Sequence, residues 1–269
     1  MVTPAVRRHF VTTPVGQIHY AEAGDGPAVL FLHQTPRSWD EFRDVLPIVG
    51  ADRRAIAMDT LGFGDSDPPA EYTIEAFASG VVALLDALDL PSAAIVGHHT
   101  GGVIAVEVAA AHPERVEGLV LSSTPLVDAA ARERMASRPA IDGAEPHPDG
   151  THLVQLWQNR MPWYPPDRPD LLHRLVIDCL KAADAEEGHH AVQRYRMEDR
   201  LPLVRARTLV VAGTEDPHAY PYLQPLAAAI DGATARELAG GMVPMDEHMP
   251  EEFAGIVLRF LLDSPIGAR

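Results

Sequence analysis

The stretch AAIVGHHTGGVIAVEVAAA, residues 93–111, changes its character twice within nineteen positions. Ala93–Val96 is a short, wholly apolar run, the mark of a strand buried on both faces of a parallel sheet. Gly97, Gly101 and Gly102 then surround His98, His99 and Thr100, and an Ala/Val-rich helix is expected over Val103–Ala111. A strand that runs through a glycine-lined turn into a helix leaves its tip residue, His99, at the carboxyl edge of the sheet. That edge is where open parallel sheets bind their ligands.

The same alternation extends in both directions. Upstream, Gln17–Glu22 alternates like a half-buried strand, and Ala28–Leu32 and Arg54–Met58 are further short strands. Trp39, Phe42, Val45 and Leu46 recur at helical spacing. Thr73–Leu88 reads as a helix with Thr73 as its N-cap and Glu75 in its first turn. Downstream come the strands Gly118–Leu121, Thr208–Ala212 and Thr234–Leu238, the helix Tyr222–Ile230 between the last two, and a closing amphipathic helix over Glu251–Leu262. Strand–helix alternation of this kind implies an α/β fold, a doubly wound, mostly parallel sheet covered on both faces. One segment breaks the rhythm. Residues 126–202 show no strand pattern but three helix-like stretches, several prolines and two of the three tryptophans, Trp157 and Trp163. The expected organisation is a core of residues 1–125 and 203–269, with 126–202 inserted as a helical cap.

The strand-end loops hold the chemistry. They read His33-Gln34-Thr35-Pro36 followed by Trp39, then Asp59-Thr60-Leu61-Gly62-Phe63-Gly64-Asp65-Ser66-Asp67, then the Gly97–Gly102 turn. Later come Gly213-Thr214-Glu215-Asp216 and Gly240-Gly241-Met242-Val243-Pro244. In order and spacing this set resembles the α/β-hydrolase superfamily, over nearly the whole chain. It is closest to the capped branch of epoxide hydrolases, haloalkane dehalogenases and C–C bond hydrolases, whose loops read roughly HGxP…W, DxxGxGxSD, GxSxGG, GxxD and GHxxP. The resemblance implies an α/β-hydrolase fold with a helical cap, a nucleophile elbow, an oxyanion hole and hydrolytic activity without a cofactor.

The departures are as informative as the matches. The family's elbow carries Ser, Asp or Cys at the position of His99. The family's catalytic histidine falls on Gly241 or on Met242, according to whether Pro244 or the paired glycines set the alignment, and neither takes a proton. His248, further on, is a substitute base only if the loop rearranges. Asp216 alone stands as in the family's Ser–His–Asp relay. A serine acyl-enzyme at the elbow is excluded, which directs attention to His99 itself. An imidazole titrates near 6.5 in water and suits general base work, or direct nucleophilic attack. By resemblance, the amides of Thr35 and Thr100 form the oxyanion hole, with Asp216 orienting His99. Gln34 stands where the family has glycine and offers an amide donor of its own. His98, Trp157, Arg160, Trp163 and Met242 complete the expected pocket, with Arg160 a candidate for a carboxylate or enolate. His98 and His33 also match structural family positions, and His189-His190 reads as a solvated pair.

The expected function is therefore an enzyme on small, partly apolar carbonyl or ester-like molecules, with His99 as base or nucleophile. Hydrolysis and lyase, isomerase or decarboxylase chemistry all remain open. The alternative is a catalytically inactive pseudo-hydrolase that binds a small ligand under its cap. Composition narrows the partners. Lys+Arg total 22 against 38 Asp+Glu, a formal charge of −16 that disfavours nucleic acid and anionic membranes. No metal-ligand spacing is present, so neither metal nor other cofactor is expected. The single cysteine, Cys179, lies in an apolar run and reads as packing. No apolar leader and no run of about 18 apolar residues occurs, so a cytoplasmic protein is expected, and a homodimer is compatible with the sequence.

Overall fold

A computed structural model describes residues 3–262. Eight strands form one sheet: β1 (Arg7–Thr13), β2 (Gly16–Ala23), β3 (Ala28–Leu32), β4 (Arg54–Met58), β5 (Ala93–His98), β6 (Val116–Ser122), β7 (Thr208–Gly213) and β8 (Thr234–Leu238). Their order is β1-β2-β4-β3-β5-β6-β7-β8. The β1–β2 and β2–β4 pairs are antiparallel, and every pair from β4–β3 to β7–β8 is parallel. Every residue of β3 and β5 is buried, as the apolar runs Ala28–Leu32 and Ala93–Val96 require. Strand β1 has no counterpart in the reading of the sequence. It is an exposed edge strand with two arginines, so no core-facing alternation marks it.

Ten α-helices accompany the sheet among the described residues. In the core these are α1 (Leu46–Val49), α2 (Ile74–Ala87), α3 (Thr100–Ala111), α8 (Leu223–Ala228), α9 (Met245–His248) and α10 (Pro250–Leu262). Thr73 caps α2, its hydroxyl accepting from the Ala76 amide. One apolar layer packs α2 and α3 against the sheet, and a second packs α1 and α10 against the other face. The Trp39–Leu46 stretch is not one helix. It folds as a 3-10 turn, Trp39–Phe42, before α1, because Asp59 holds the Trp39 amide at 2.6 Å and Ser38 caps the turn.

Between β6 and β7 the chain forms α4 (Ala129–Ala136), α5 (Thr151–Arg160), α6 (Pro169–Lys181) and α7 (Glu187–Arg194). Leu156, Tyr164, Leu171, Leu172, Leu175 and Cys179 give this segment a small core of its own. Arg37, fully buried, fastens it to the sheet: its guanidinium donates to Asp178 of α6 and to Glu247 of α9. Removing one partner of such a buried pair typically costs about 3–5 kcal/mol. No described helix is long and apolar enough to cross a membrane.

Candidate active site

The turn after β5 sets the site. His99 sits at φ 46°, ψ −112°, and its amide donates to the Ser122 carbonyl at 3.0 Å. This left-handed conformation costs a non-glycine residue energy, and histidine is among the types that tolerate it best. Helix α3 begins directly behind it at Thr100, three residues earlier than the apolar pattern suggests. The turn closes only because Gly101 presses on the backbone of Leu32 and His33, where a Cβ would overlap both.

The imidazole swings across the sheet edge. His99 Nε2 lies 2.9 Å from Asp216 Oδ2, at the end of β7. A carboxylate accepts only, so Nε2 carries the hydrogen and Nδ1 the lone pair. Nδ1 has no partner among the described residues, and the ring, 14% exposed, faces the cavity. Asp216 is fully buried, and its Oδ1 accepts from the amides of His218 at 2.9 Å and Ala219 at 3.2 Å. Burial alone would raise its carboxyl. The adjacent His99 imidazole and the His218 amide outweigh burial and hold it well below the ordinary carboxylate range.

The two threonines named from the sequence come together beside this pair. Thr35 Oγ1 and Thr100 Oγ1 are 3.0 Å apart, and both residues line the cavity. Neither backbone amide has an acceptor among the described residues, and Thr100 supplies the first, unpaired amide of α3. Gln34 also lines the cavity, but its amide and Nε2 both donate to Glu41, at 2.8 and 2.6 Å. Its side-chain nitrogen is therefore anchored rather than free for a substrate.

The other expected pocket residues divide. Trp163 and Arg160 line the cavity, whose volume is about 740 Å³. His98 does not. It is fully buried, with Nδ1 2.9 Å from Ser122 Oγ and Nε2 3.0 Å from the Val243 carbonyl. Both nitrogens are spent on holding β6 and the last loop together. Trp157 packs into the small core of the inserted helices, and the loop presents Val243 in place of Met242. His248 lies on α9, away from the cavity wall, and Asp216 is already held by His99.

Arg160 is paired, and deep rather than at the surface. Its Nε and Nη2 donate to Asp142, the former at 2.6 Å, and His189 Nε2 approaches Asp142 at 2.6 Å. His189 is thus a bound residue of the cavity wall, not a solvated one. Asp142 carries no pattern in sequence, since only the fold brings it to α5 and α7. His218 was also missed, although it stands two residues after Asp216. It lines the cavity against Trp163, with ring centroids 4.5 Å apart, and burial lowers its pKa to about 4. Two carboxylate–histidine groups approach ligand spacing, His19–Asp59–Asp65 and Glu41–His98–Asp246. Protein donors already occupy much of each: Asp59 accepts from the Trp39 and Asp65 amides, and Glu41 from Gln34.

Known proteins share this frame. The family model described as the alpha/beta hydrolase fold matches residues 27–166. An epoxide hydrolase of Caballeronia sordidicola is 36% identical over 222 residues, 72% of this chain and 68% of that protein. The bifunctional epoxide hydrolase 2 of Rattus norvegicus is 36% identical over 127 residues, 45% of this chain, and the match spans only 23% of the rat protein. A crystal structure of a hydrolase from Pseudomonas aeruginosa PA01 superposes with a TM-score of 0.78 at 25% identity, covering 95% of this chain and 98% of that one. The chain belongs to the α/β-hydrolase fold family.

Proposed function

We propose that this chain is a general-base enzyme acting on small carbonyl or ester-like molecules, with His99 in place of both nucleophile and base. The observation that carries this reading is the His99–Asp216 pair, with Nδ1 free at the cavity beside two unpaired amides. In hydrolysis, Nδ1 takes a proton from water as the water oxygen bonds to the carbonyl carbon. The carbonyl electrons move onto oxygen, where the amides of Thr35 and Thr100 stabilise the developing charge. Collapse breaks the bond to the leaving oxygen, which receives the proton from the imidazolium. Asp216, held ionised, fixes the tautomer of the neutral ring and then stabilises the imidazolium.

Hydrolysis is favoured because the similar proteins are hydrolases. Abstraction of a substrate C–H proton by the same nitrogen is the second reading, since no hydroxyl or carboxylate nucleophile occupies the elbow. The test is turnover of a panel of small esters, lactones, epoxides and β-keto acids by wild type and His99→Ala. A base of this kind contributes about 10²–10⁴-fold, and the variant should lose that much. A folded wild type that turns over nothing, or a variant as active as wild type, refutes the reading in favour of a ligand-binding pseudo-hydrolase.

A further inference from the structure

We propose that Arg138 and Arg160 form a carboxylate-binding subsite in the cavity wall, so that the substrate is a small organic acid whose reacting carbonyl lies at His99. The proposal rests on the general-base reading for its catalytic half and on independent observations for its binding half. Arg160 is 5% exposed and spends Nε and Nη2 on Asp142. Its Nη1 has no acceptor among the described residues, and Arg160 lines the cavity. Arg138 lines the same wall and makes no ion pair among the described residues. In a chain of net charge −16, a buried guanidinium, Arg160, and an exposed one, Arg138, thus border the same cavity.

The acid on that wall does not oppose them freely. Glu186 Oε1 accepts from the amides of Ile141, Asp142 and Gly143 at 2.7, 2.5 and 2.9 Å, which spreads its charge into the backbone. Both arginines line the same cavity as His99 and His218. Trp163 and Leu126 supply apolar surface for the body of the molecule. Three arginines and no lysine line the cavity; Arg134 donates to the Tyr222 hydroxyl, and Arg138, free for a bidentate contact, with the remaining Nη1 of Arg160 suits a planar monoanion.

The test is calorimetric titration of the intact protein with benzoate, benzamide and inorganic phosphate. Wild type should bind benzoate about tenfold or more tighter than benzamide, as charge-assisted hydrogen bonds imply, without displacement by equimolar phosphate. Arg160→Gln strands a buried carboxylate and can fail to fold, so Arg138→Gln, at an exposed position, is the primary variant. It should remove most of the preference for benzoate and Arg138→Lys should restore part of it. Equal binding of benzoate and benzamide, no binding of either, an unchanged preference in Arg138→Gln, or displacement by phosphate overturns the subsite. His99→Ala separates the two claims. Turnover lost in that variant without any benzoate preference leaves the base and removes the subsite, and the converse result leaves the subsite and removes the base.

Discussion

The 2.9 Å bond between His99 Nε2 and Asp216 Oδ2 joins the elbow directly to the acid, across 117 residues of sequence. In the family's relay a histidine from the last loop stands between those two positions. Here the elbow residue is long enough to make the connection itself, and the last loop has no proton carrier at Gly241 or Met242. The loss at one position and the replacement at the other therefore form one rearrangement, which places the histidine that Asp216 holds at the tip of the turn.

Asp216→Asn tests whether the pair acts as a unit. An asparagine that turns its NH₂ toward Nε2 would force the ring hydrogen onto Nδ1 and remove the lone pair from the cavity. Turnover should fall by about 10²-fold or more. Combined with His99→Gln, it should cost little beyond the worse single variant, because residues that act together are non-additive. Additive losses in a double-mutant cycle would separate the two residues.

Attempts to rebuild the usual relay should depend on position. A Cβ at Gly241 would lie 2.9 Å from Gly213 Cα and 3.3 Å from Met245 Cβ, with backbone on one side that cannot yield. His99→Ser with Gly241→His should lose about 1–3 kcal/mol of stability through overpacking and gain no esterase activity. His99→Ser with Met242→His places the ring on a half-buried residue and is the combination expected to hydrolyse p-nitrophenyl acetate. Activity only in the Gly241 variant would show that the loop's register differs from the one seen here.

The strands that carry the site were legible because they are buried on both faces and so read as unbroken apolar runs, β3 and β5 above all. The elbow was legible because its glycines are forced by close contacts, Gly101 with β3, Gly97 with the turn itself and Gly102 with Thr124. The wall of the cavity was not. Asp142, His189 and Arg160 meet only through the packing of three separate pieces of the inserted segment, and nothing periodic marks any of them. His98 shows the opposite failure: a polar residue beside the elbow invites a role in binding, yet its two nitrogens are satisfied internally.

His33 gives a stability prediction with a definite sign. Nδ1 is 2.7 Å from the Gln34 carbonyl and donates to it, and Nε2 accepts from the Thr60 amide at 2.9 Å. Burial lowers the pKa of His33 to about 4, and protonation would also set the new hydrogen on Nε2 against the Thr60 N–H. The unfolded chain takes up this proton near 6.5, so the contribution of His33 is complete above that pH and is lost as pH falls toward about 4. The stability advantage of wild type over His33→Gln should shrink by up to about 3 kcal/mol between neutral pH and about pH 4, read from urea melts. A constant difference would show that His33 does not titrate in this way.

Asp246 should behave in the opposite sense. It is fully buried beneath the site, its Oδ2 has no partner, and only the Glu247 amide, at 3.1 Å, reaches its Oδ1. Burial, then the neighbouring Glu247 carboxylate, pushes its pKa well above the ordinary carboxyl range. A raised carboxyl binds its proton more tightly in the folded chain, so its ionisation penalises folding progressively as pH rises above the unfolded value of about 3.9. Asp246→Asn carries no such penalty. Relative to wild type it should gain about 1 kcal/mol or more between about pH 5 and about pH 8. Arg37→Met is the contrasting variant: it strands Asp178 and Glu247 and should lose about 3–5 kcal/mol. Urea melts in which Asp246→Asn is equally destabilised at both pH values would mean that Asp246 is folded as an ionised group, with a cation or bound water supplying what its neighbours do not.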